Sequence, residues 1–299
     1  MAPDAYPALR AWLEQETGHS FDAEPAGRVA GGDINQCLRW QGPHATAFIK
    51  LNAAARLSMF EAEAAGLREL ADAQALRVPR VLGTGLFGSV AVLALEWLDL
   101  RAPQAGDAAQ ARLGGLLAMQ HRVAAAAFGW HRDNTLGSTA QPNAWSDDWV
   151  QFFKVRRLGH QLDLAEAKGI EPRAVDRGRL LADRCGAFFS SYSPTPALLH
   201  GDLWGGNWAV HATTGEPVVF DPAVYYGDRE ADLAMTRLFG GFGPRFYAAY
   251  QAQWPLDAAA GTRRTLYNLY HVLNHYNLFG GGYAAQAANM IESLLAEFG

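Results

Sequence analysis

The chain changes character near Leu100, and that change limits its fold more than any other feature. Ahead of it, a short amphipathic helix over 8–16 ends at Gly18. Strand-like segments follow: the Arg28–Val29 approach to GGDIN, then CLRW, TAFIKL, VPRVLGTG and SVAVLALEWL. The last is almost wholly apolar, as expected of a strand buried on both faces. One helix interrupts the series over 54–73, rich in Ala, Glu, Leu and Arg, with Pro79 beyond its end. Past Leu100, helical patterns dominate at 107–126, 146–168, 172–192, 229–240 and most of 257–298. One hairpin-like unit, NWAVHATTGEPVVFD, breaks them. The simplest arrangement is α+β and bilobal: a small β-rich N-lobe over 1–98 and a larger, mainly helical C-lobe over 99–299.

A chain of 299 residues, 49% hydrophobic and 18% charged, has ample material for a core or for two lobes. Its net charge of −5 and lack of Lys/Arg runs do not mark nucleic acid as a partner. Two cysteines, Cys37 and Cys185, cannot make a disulfide framework or a Cys-based zinc site and suit a reducing compartment. There is no signal-like N-terminus and no run of eighteen apolar residues. A soluble, cytoplasmic protein without a membrane partner is expected; oligomeric state is not readable.

Two short stretches carry the chemistry. HGDLWGGN, at 200–207, sets an aspartate and a carboxamide five residues apart, and VVFDPA delivers a second carboxylate, Asp221, at the end of an apolar strand. Alone, each reads as a turn. Together, in the helical lobe, they match what ATP-dependent phosphoryl transfer needs: an aspartate at the attacking hydroxyl, and Asn plus Asp to hold Mg2+. Asp202 is then the candidate base, and Asn207 and Asp221 the candidate metal ligands. Magnesium takes such hard oxygens in small number while keeping waters and phosphate oxygens. In the N-lobe, Lys50 of TAFIKL would meet the ATP phosphates, aimed by a glutamate of MFEAEAAGLREL. Glu63 is preferred over Glu61 for its placement relative to the apolar residues that follow. Gly31 and Gly32 would let backbone N–H groups approach phosphate. ALEWLDL supplies a hinge of Glu96, Trp97 and Leu98, with the Glu96 carbonyl and Leu98 N–H as adenine contacts.

These residues resemble the fructosamine kinases, or ketosamine-3-kinases, of the aminoglycoside phosphotransferase and choline kinase group. The resemblance spans essentially the whole chain through GGDIN, FIKLN, MFEAEAAGLREL, VPRVLGTG, FGWHRDNTLGSTAQPN, WSDDWVQFF, LLHGDLWGGN, FDPAVYYGDREADLAM and LFGGF. It implies a protein-kinase-like fold and phosphorylation of the 3-hydroxyl of a ketose attached to an amine, small or protein-linked. Loss of the 3-phosphate would then free the amine, a deglycation. Bacterial members of this kind are expected to favour ribulosamines and erythrulosamines over fructosamines. Another small amino alcohol such as an aminoglycoside, or a nucleotide-binding scaffold without turnover, are the alternatives.

The pattern departs from protein kinases in two places. Pro-Ala follows Asp221 where they carry Phe-Gly, and His200-Gly201 stands for His-Arg, so neither a mobile Phe switch nor control by phosphorylation is implied. Asp33 stands where some eukaryotic relatives carry a cysteine, so a redox switch through that loop is not implied, and Cys37, four residues on, reads as a small apolar strand residue. Trp204 offers an indole face to a sugar or to its amine. Asp133 and Asn134 suit polyol hydroxyls or, equally, an Asx turn. Tyr225, with Tyr226, is a candidate wall of the acceptor side. Asp232 resembles the helix carboxylate that ties down the catalytic loop in related kinases, and His200 is expected to support that loop from behind.

Overall fold

The computed structural model describes residues 6–29, 34–104 and 108–298. Contacts divide it into two units: Met1–Pro103 with Ala209–Asp221, and Gln104–Trp208 with Pro222–Gly299.

The first unit is built on a five-stranded antiparallel sheet. Strands β1 (Gly27–Val29), β2 (Gln36–Gln41), β3 (Thr46–Ala53), β4 (Val81–Phe87) and β5 (Val90–Glu96) lie in the order β1-β2-β3-β5-β4. Because side chains alternate across a strand, β3 sorts its residues onto two faces. Ala47, Ile49 and Leu51 join Val92 and Ala94 of β5 in a core closed by Leu9 and Leu13 of helix α1 (Tyr6–Thr17). Lys50 has the opposite parity. Its neighbours in register are Cys37 and Leu93. Helix α2 (Leu57–Asp72) packs on β4 and β5 through a stripe that includes Phe60, Leu67 and Leu70. Glu63 is three or four residues from Phe60 and Leu67, hence on that inward stripe, whereas Glu61 is exposed.

A three-stranded sheet completes this unit, in the order β11 (Pro217–Val219), β10 (Trp208–His211), β6 (Leu100–Arg101). Here the structure differs from a division at residue 98. Residues 99–103 and the hairpin segment 209–221 group with the N-terminal unit, because Val210 and His211 pair with Arg101 and Leu100 and Val218 bridges Arg77.

The second unit is mainly helical: α3 (Ala108–Gln120), α4 (Trp149–Phe153), α5 (His160–Ala167), α6 (Pro172–Arg184), α7 (Glu230–Leu238), α8 (Pro244–Gln253), α9 (Ala260–Phe279) and α10 (Tyr283–Ala296). Helix α9 is central, packing against α5, α7 and α10, while α3 lies on α8. The sequence expectation of one helix over 146–168 is met by three pieces, α4 and α5 flanking a π-helical turn at Lys154–Gly159. Two small antiparallel pairs were not expected: β7 (Asn134–Leu136) with β8 (Thr139–Gln141), and β9 (Ala197–Leu199) with β12 (Tyr225–Gly227). Helix α8, led by Pro244 at its first turn, was also not expected. Among the described residues no helix is long and apolar enough to cross a membrane.

Candidate active site

Within the first unit, a lysine and two carboxyl side chains meet. Lys50 Nζ lies 2.6 Å from Glu63 Oε1 and 2.5 Å from Asp221 Oδ1. Of the two glutamates open to Lys50 from sequence, Glu63 forms the ion pair. Burial works against the lysine's charge, but the Asp221 and Glu63 carboxylates outweigh it and hold the ammonium well above the ordinary lysine range. Two carboxylates share one ammonium, and burial raises the Glu63 pKa against the opposing pull of Lys50. Lys50 and Glu63 are nearly enclosed, while the Asp221 side chain is 43% exposed. Asp221 also adopts φ +57°, a left-handed conformation uncommon outside glycine. Such strain concentrates at functional sites.

The hinge residues close β5. The Glu96 carboxylate accepts from Arg77 Nη2 (2.6 Å) and the Arg80 N–H (2.7 Å). Trp97 donates its backbone N–H to Thr46 O, and its ring lies 4.6 Å from the Arg39 guanidinium. Leu98 is half-buried. Gly31 and Gly32 lie outside the described residues.

Within the second unit, β9 runs into the loop that carries Asp202. Gly201 has φ +83°, and a Cβ there would stand 2.0 Å from Ala223 O, so this turn admits only glycine. Asp232, on α7, fixes the loop's backbone: Oδ2 accepts the His200 N–H and Oδ1 the Gly201 N–H, both at 2.8 Å. His121 adds a third bond at 3.1 Å and meets the Tyr250 hydroxyl at 2.9 Å through its other nitrogen. Burial pulls the His121 pKa down, so the neutral ring donates from Nε2 to Asp232 and accepts from Tyr250 at Nδ1. Burial would lift Asp232, but the His121 and Gly201 hydrogen bonds bring its carboxyl below the usual range. His200 is fully buried, and its Nδ1 accepts the Asp202 N–H. Asn207 Nδ2 donates to both the carbonyl (2.9 Å) and Oδ2 (3.1 Å) of Asp202.

Trp204 is 39% exposed, its ring nearly perpendicular to that of Phe239, and its indole lies over Gly206, where a Cβ would come within 2.3 Å of the ring. It is not a core tryptophan.

The other acceptor candidates make bonds within the fold. Asn134 is buried: Nδ2 donates to Val224 O (2.8 Å), and Oδ1 accepts from Gln141 and Asn143 (2.8 Å each). Its amide is committed to the fold, which corrects the polyol-binding expectation. Asp133 Oδ1 accepts the Asn143 N–H at 2.7 Å, ten residues on, so it bridges two parts of the loop and does not form a local Asx turn. Tyr225 is also corrected. Strand alternation turns it inward against Phe152 and the Arg157 guanidinium, 4.1 Å from its ring, and burial lifts its pKa. Tyr226 has the opposite parity and packs near the exposed Trp145. Sequence reasoning missed His121, Gln141, Asn143 and Arg157. Gln141 and Asn143 stood inside the quoted run FGWHRDNTLGSTAQPN; His121 and Arg157 carried no local signal.

Among the described residues, no three or more of His, Cys, Asp and Glu cluster as an all-protein metal cage. The carboxylate of Asp221 and the amide oxygen of Asn207 are hard oxygen donors of the type magnesium takes.

The fructosamine kinase family profile matches residues 5–297. A probable ketoamine kinase of Synechocystis sp. is 44% identical, with 98% of each chain covered. A chloroplastic protein-ribulosamine 3-kinase of Arabidopsis thaliana is 39% identical over 99% of this chain and 90% of its own. A crystal structure from Haemophilus somnus 129PT, provisionally named a fructosamine-3-kinase, aligns at TM-score 0.86 with 28% identity over 96% of both chains. An aminoglycoside phosphotransferase, APH(4)-Ia, aligns at 0.64 with 14% identity, a likeness of fold alone. The fold is therefore the bilobal, protein-kinase-like one that the sequence suggested, and the chain belongs to the fructosamine kinase family of phosphotransferases.

Proposed function

We propose that this kinase transfers the γ-phosphoryl group of ATP to the 3-hydroxyl of a ketosamine, and that loss of the 3-phosphate then frees the amine. The observation that carries the reading is the fixed catalytic loop: Asp232 holds two successive loop N–H groups, and Asn207 holds the Asp202 carboxylate. Asp202 accepts the proton of the attacking hydroxyl as the O–P bond forms to the γ-phosphorus and the bond to ADP breaks. Lys50, aimed by Glu63, orients the α- and β-phosphates. Asp221, with a charged oxygen, and Asn207, with an amide oxygen, would hold Mg2+, which when bound would supply positive charge to the transferring phosphoryl group. The Glu96 carbonyl and Leu98 N–H take the adenine edge. The exposed indole of Trp204 lies two residues from Asp202, suited to the protonated secondary amine that distinguishes a ketosamine from a plain ketose. The relatives' names, ketoamine kinase and protein-ribulosamine 3-kinase, support the same acceptor class.

The test is ADP release by the purified enzyme with ribulosyl-, erythrulosyl- and fructosyl-lysine, with an aminoglycoside as comparison. Mg2+-dependent turnover of at least one ketosamine, with phosphate located on its 3-oxygen, is expected. Turnover of the aminoglycoside alone, or of none, overturns the reading.

A further inference from the structure

Arg157 is fully buried in the π-helical turn, yet no carboxylate pairs with it among the described residues. Its charge is met instead by three oxygens and the rings of Phe152 and Tyr225. A buried cation without a counter-ion is costly, and π-helical turns inside helices recur at functional sites. The hydrogen bonds show where this charge is directed. Arg157 Nη2 donates to Asn143 Oδ1 (2.7 Å), Asn143 Nδ2 to Asn134 Oδ1 (2.8 Å), and Asn134 Nδ2 to Val224 O (2.8 Å). Tyr270 donates to Gln141 Oε1 (2.6 Å), and Gln141 Nε2 donates to Ala223 O (3.1 Å). Both chains point their donors the same way, and a charge at the head of such a chain strengthens each successive bond. They end on the two carbonyls that follow Pro222. From there, Ala223 N donates to His200 O (2.8 Å), directly before Gly201 and Asp202.

We infer that Arg157, Asn143, Asn134 and Gln141 are positioning residues for phosphoryl transfer. The guanidinium-headed chain clamps Val224 and the Tyr270-headed chain clamps Ala223, and through Ala223 the base of the catalytic loop. Gln141 Nε2 also donates to Asn134 Oδ1 (2.8 Å), which ties the two chains together. The inference rests on the proposed function for its activity readout, but not for its structural one.

Asn143→Asp tests it. The variant keeps the acceptor for Arg157, and even gives it a counter-ion, but removes the donor to Asn134. Its melting temperature should stay near the parent's. Hydrogen exchange at the Ala223 amide should quicken, and kcat for the ketosamine should fall, each by about tenfold or more, the scale of a small misplacement of reacting groups. The Kd for MgATP should stay within about twofold, since none of these groups is assigned to nucleotide. Exchange and kcat both at parental values would overturn the clamp. So would quickened exchange with unchanged kcat, or a lowered melting temperature with parental kcat per folded molecule. If Asn143→Asp does not fold, Gln141→Glu, which keeps the Tyr270 bond and loses the donor to Ala223, is judged by the same outcomes. A parent that phosphorylates no ketosamine refutes the proposed function instead, while the exchange arm still judges the clamp.

Discussion

Around Lys50, two carboxylates crowd one ammonium; behind Asp202, one carboxylate, Asp232, faces two backbone N–H groups and a neutral histidine. The first arrangement is held by charge and open at one side through Asp221. The second is closed and held by fixed dipoles. The contrast follows from what each must do. On the proposed roles, the Lys50 cluster meets phosphates and a metal and must exchange partners when the nucleotide binds, and the part-exposed Asp221 is the partner it can give up. A base must not move, and dipoles already oriented need no reorganisation during the reaction. The comparison therefore predicts that substitutions in the two regions fail in different ways.

The largest effect belongs to Asp202. Asp202→Asn preserves shape and removes the base, so kcat should fall by about 10²–10⁴. MgATP affinity, measured by calorimetry, should be unchanged, because that affinity is assigned to the Lys50 cluster. Turnover within about threefold of the parent would break the contrast at its centre, since far more is expected of a general base.

Lys50→Met acts on the other region. It leaves the Glu63 and Asp221 carboxylates without their shared cation. Removing one partner of a buried pair costs about 3–5 kcal/mol, and the part-exposed Asp221 places this cluster at or below the lower end. Stability and MgATP affinity should drop together, which Asp202→Asn does not do. Denaturant melts with and without MgATP check both; a variant as stable as the parent would show that the ion pairs contribute nothing measurable.

The third prediction compares two buried carboxylates of one segment. Asp232 is held below the usual range. Asp228, four residues earlier, accepts from the Tyr192 and Tyr267 hydroxyls, yet burial first and the neighbouring Glu230 second push it up to about 6. The unfolded chain has Asp near 3.9. A folded pKa above the unfolded one contributes stability that is fully present below about pH 4 and is lost as pH rises through about 6. Asp232 has the opposite sign, its contribution vanishing as pH falls through its depressed folded value. Asp228→Asn should therefore cost more stability at pH 4.5 than at pH 7.5, by at most about 3 kcal/mol for a two-unit shift. A larger cost at pH 7.5 would mean that the two tyrosines hold Asp228 ionised and that the two carboxylates behave alike.

The ion cluster was more legible in the sequence than the dipole-held region, for a physical reason. Strand parity fixes the face on which Lys50 lies, and helical spacing puts Glu63 with Phe60 and Leu67; both are local rules. Asp202, Asn207 and Asp232 were singled out from short ordered motifs. The relay behind them was not, because His121, Gln141 and Arg157 reach their partners across distant parts of the chain and no local period marks them. Asn134 and Tyr225 were misread for a related reason. A carboxamide can serve a sugar or the backbone equally well, and only the three-dimensional partners decide. The lobe boundary was misplaced at the hairpin because a strand pairing with β6 is a long-range fact.

The smallest effect tests the edge of the site. Trp204 shares the loop of Asp202 but is not fastened by the dipoles that hold it: more than a third of the residue is exposed, and its ring contact with Phe239 is a nearly perpendicular one. If its indole face meets the ketosamine amine, Trp204→Ala removes a cation–π contact of ~0.5–2 kcal/mol and raises KM for ketosamines roughly two- to thirtyfold. The KM for ATP should hold, and so should kcat, because binding to substrate and transition state is lost alike. A fully packed tryptophan would instead cost about 3–5 kcal/mol of stability on truncation. The exposure of this one predicts a melting temperature near the parent's. A KM for ketosamines equal to the parent's, in a variant that melts like the parent, would detach the indole from the acceptor and leave the dipole-held loop without an aromatic contact to its substrate.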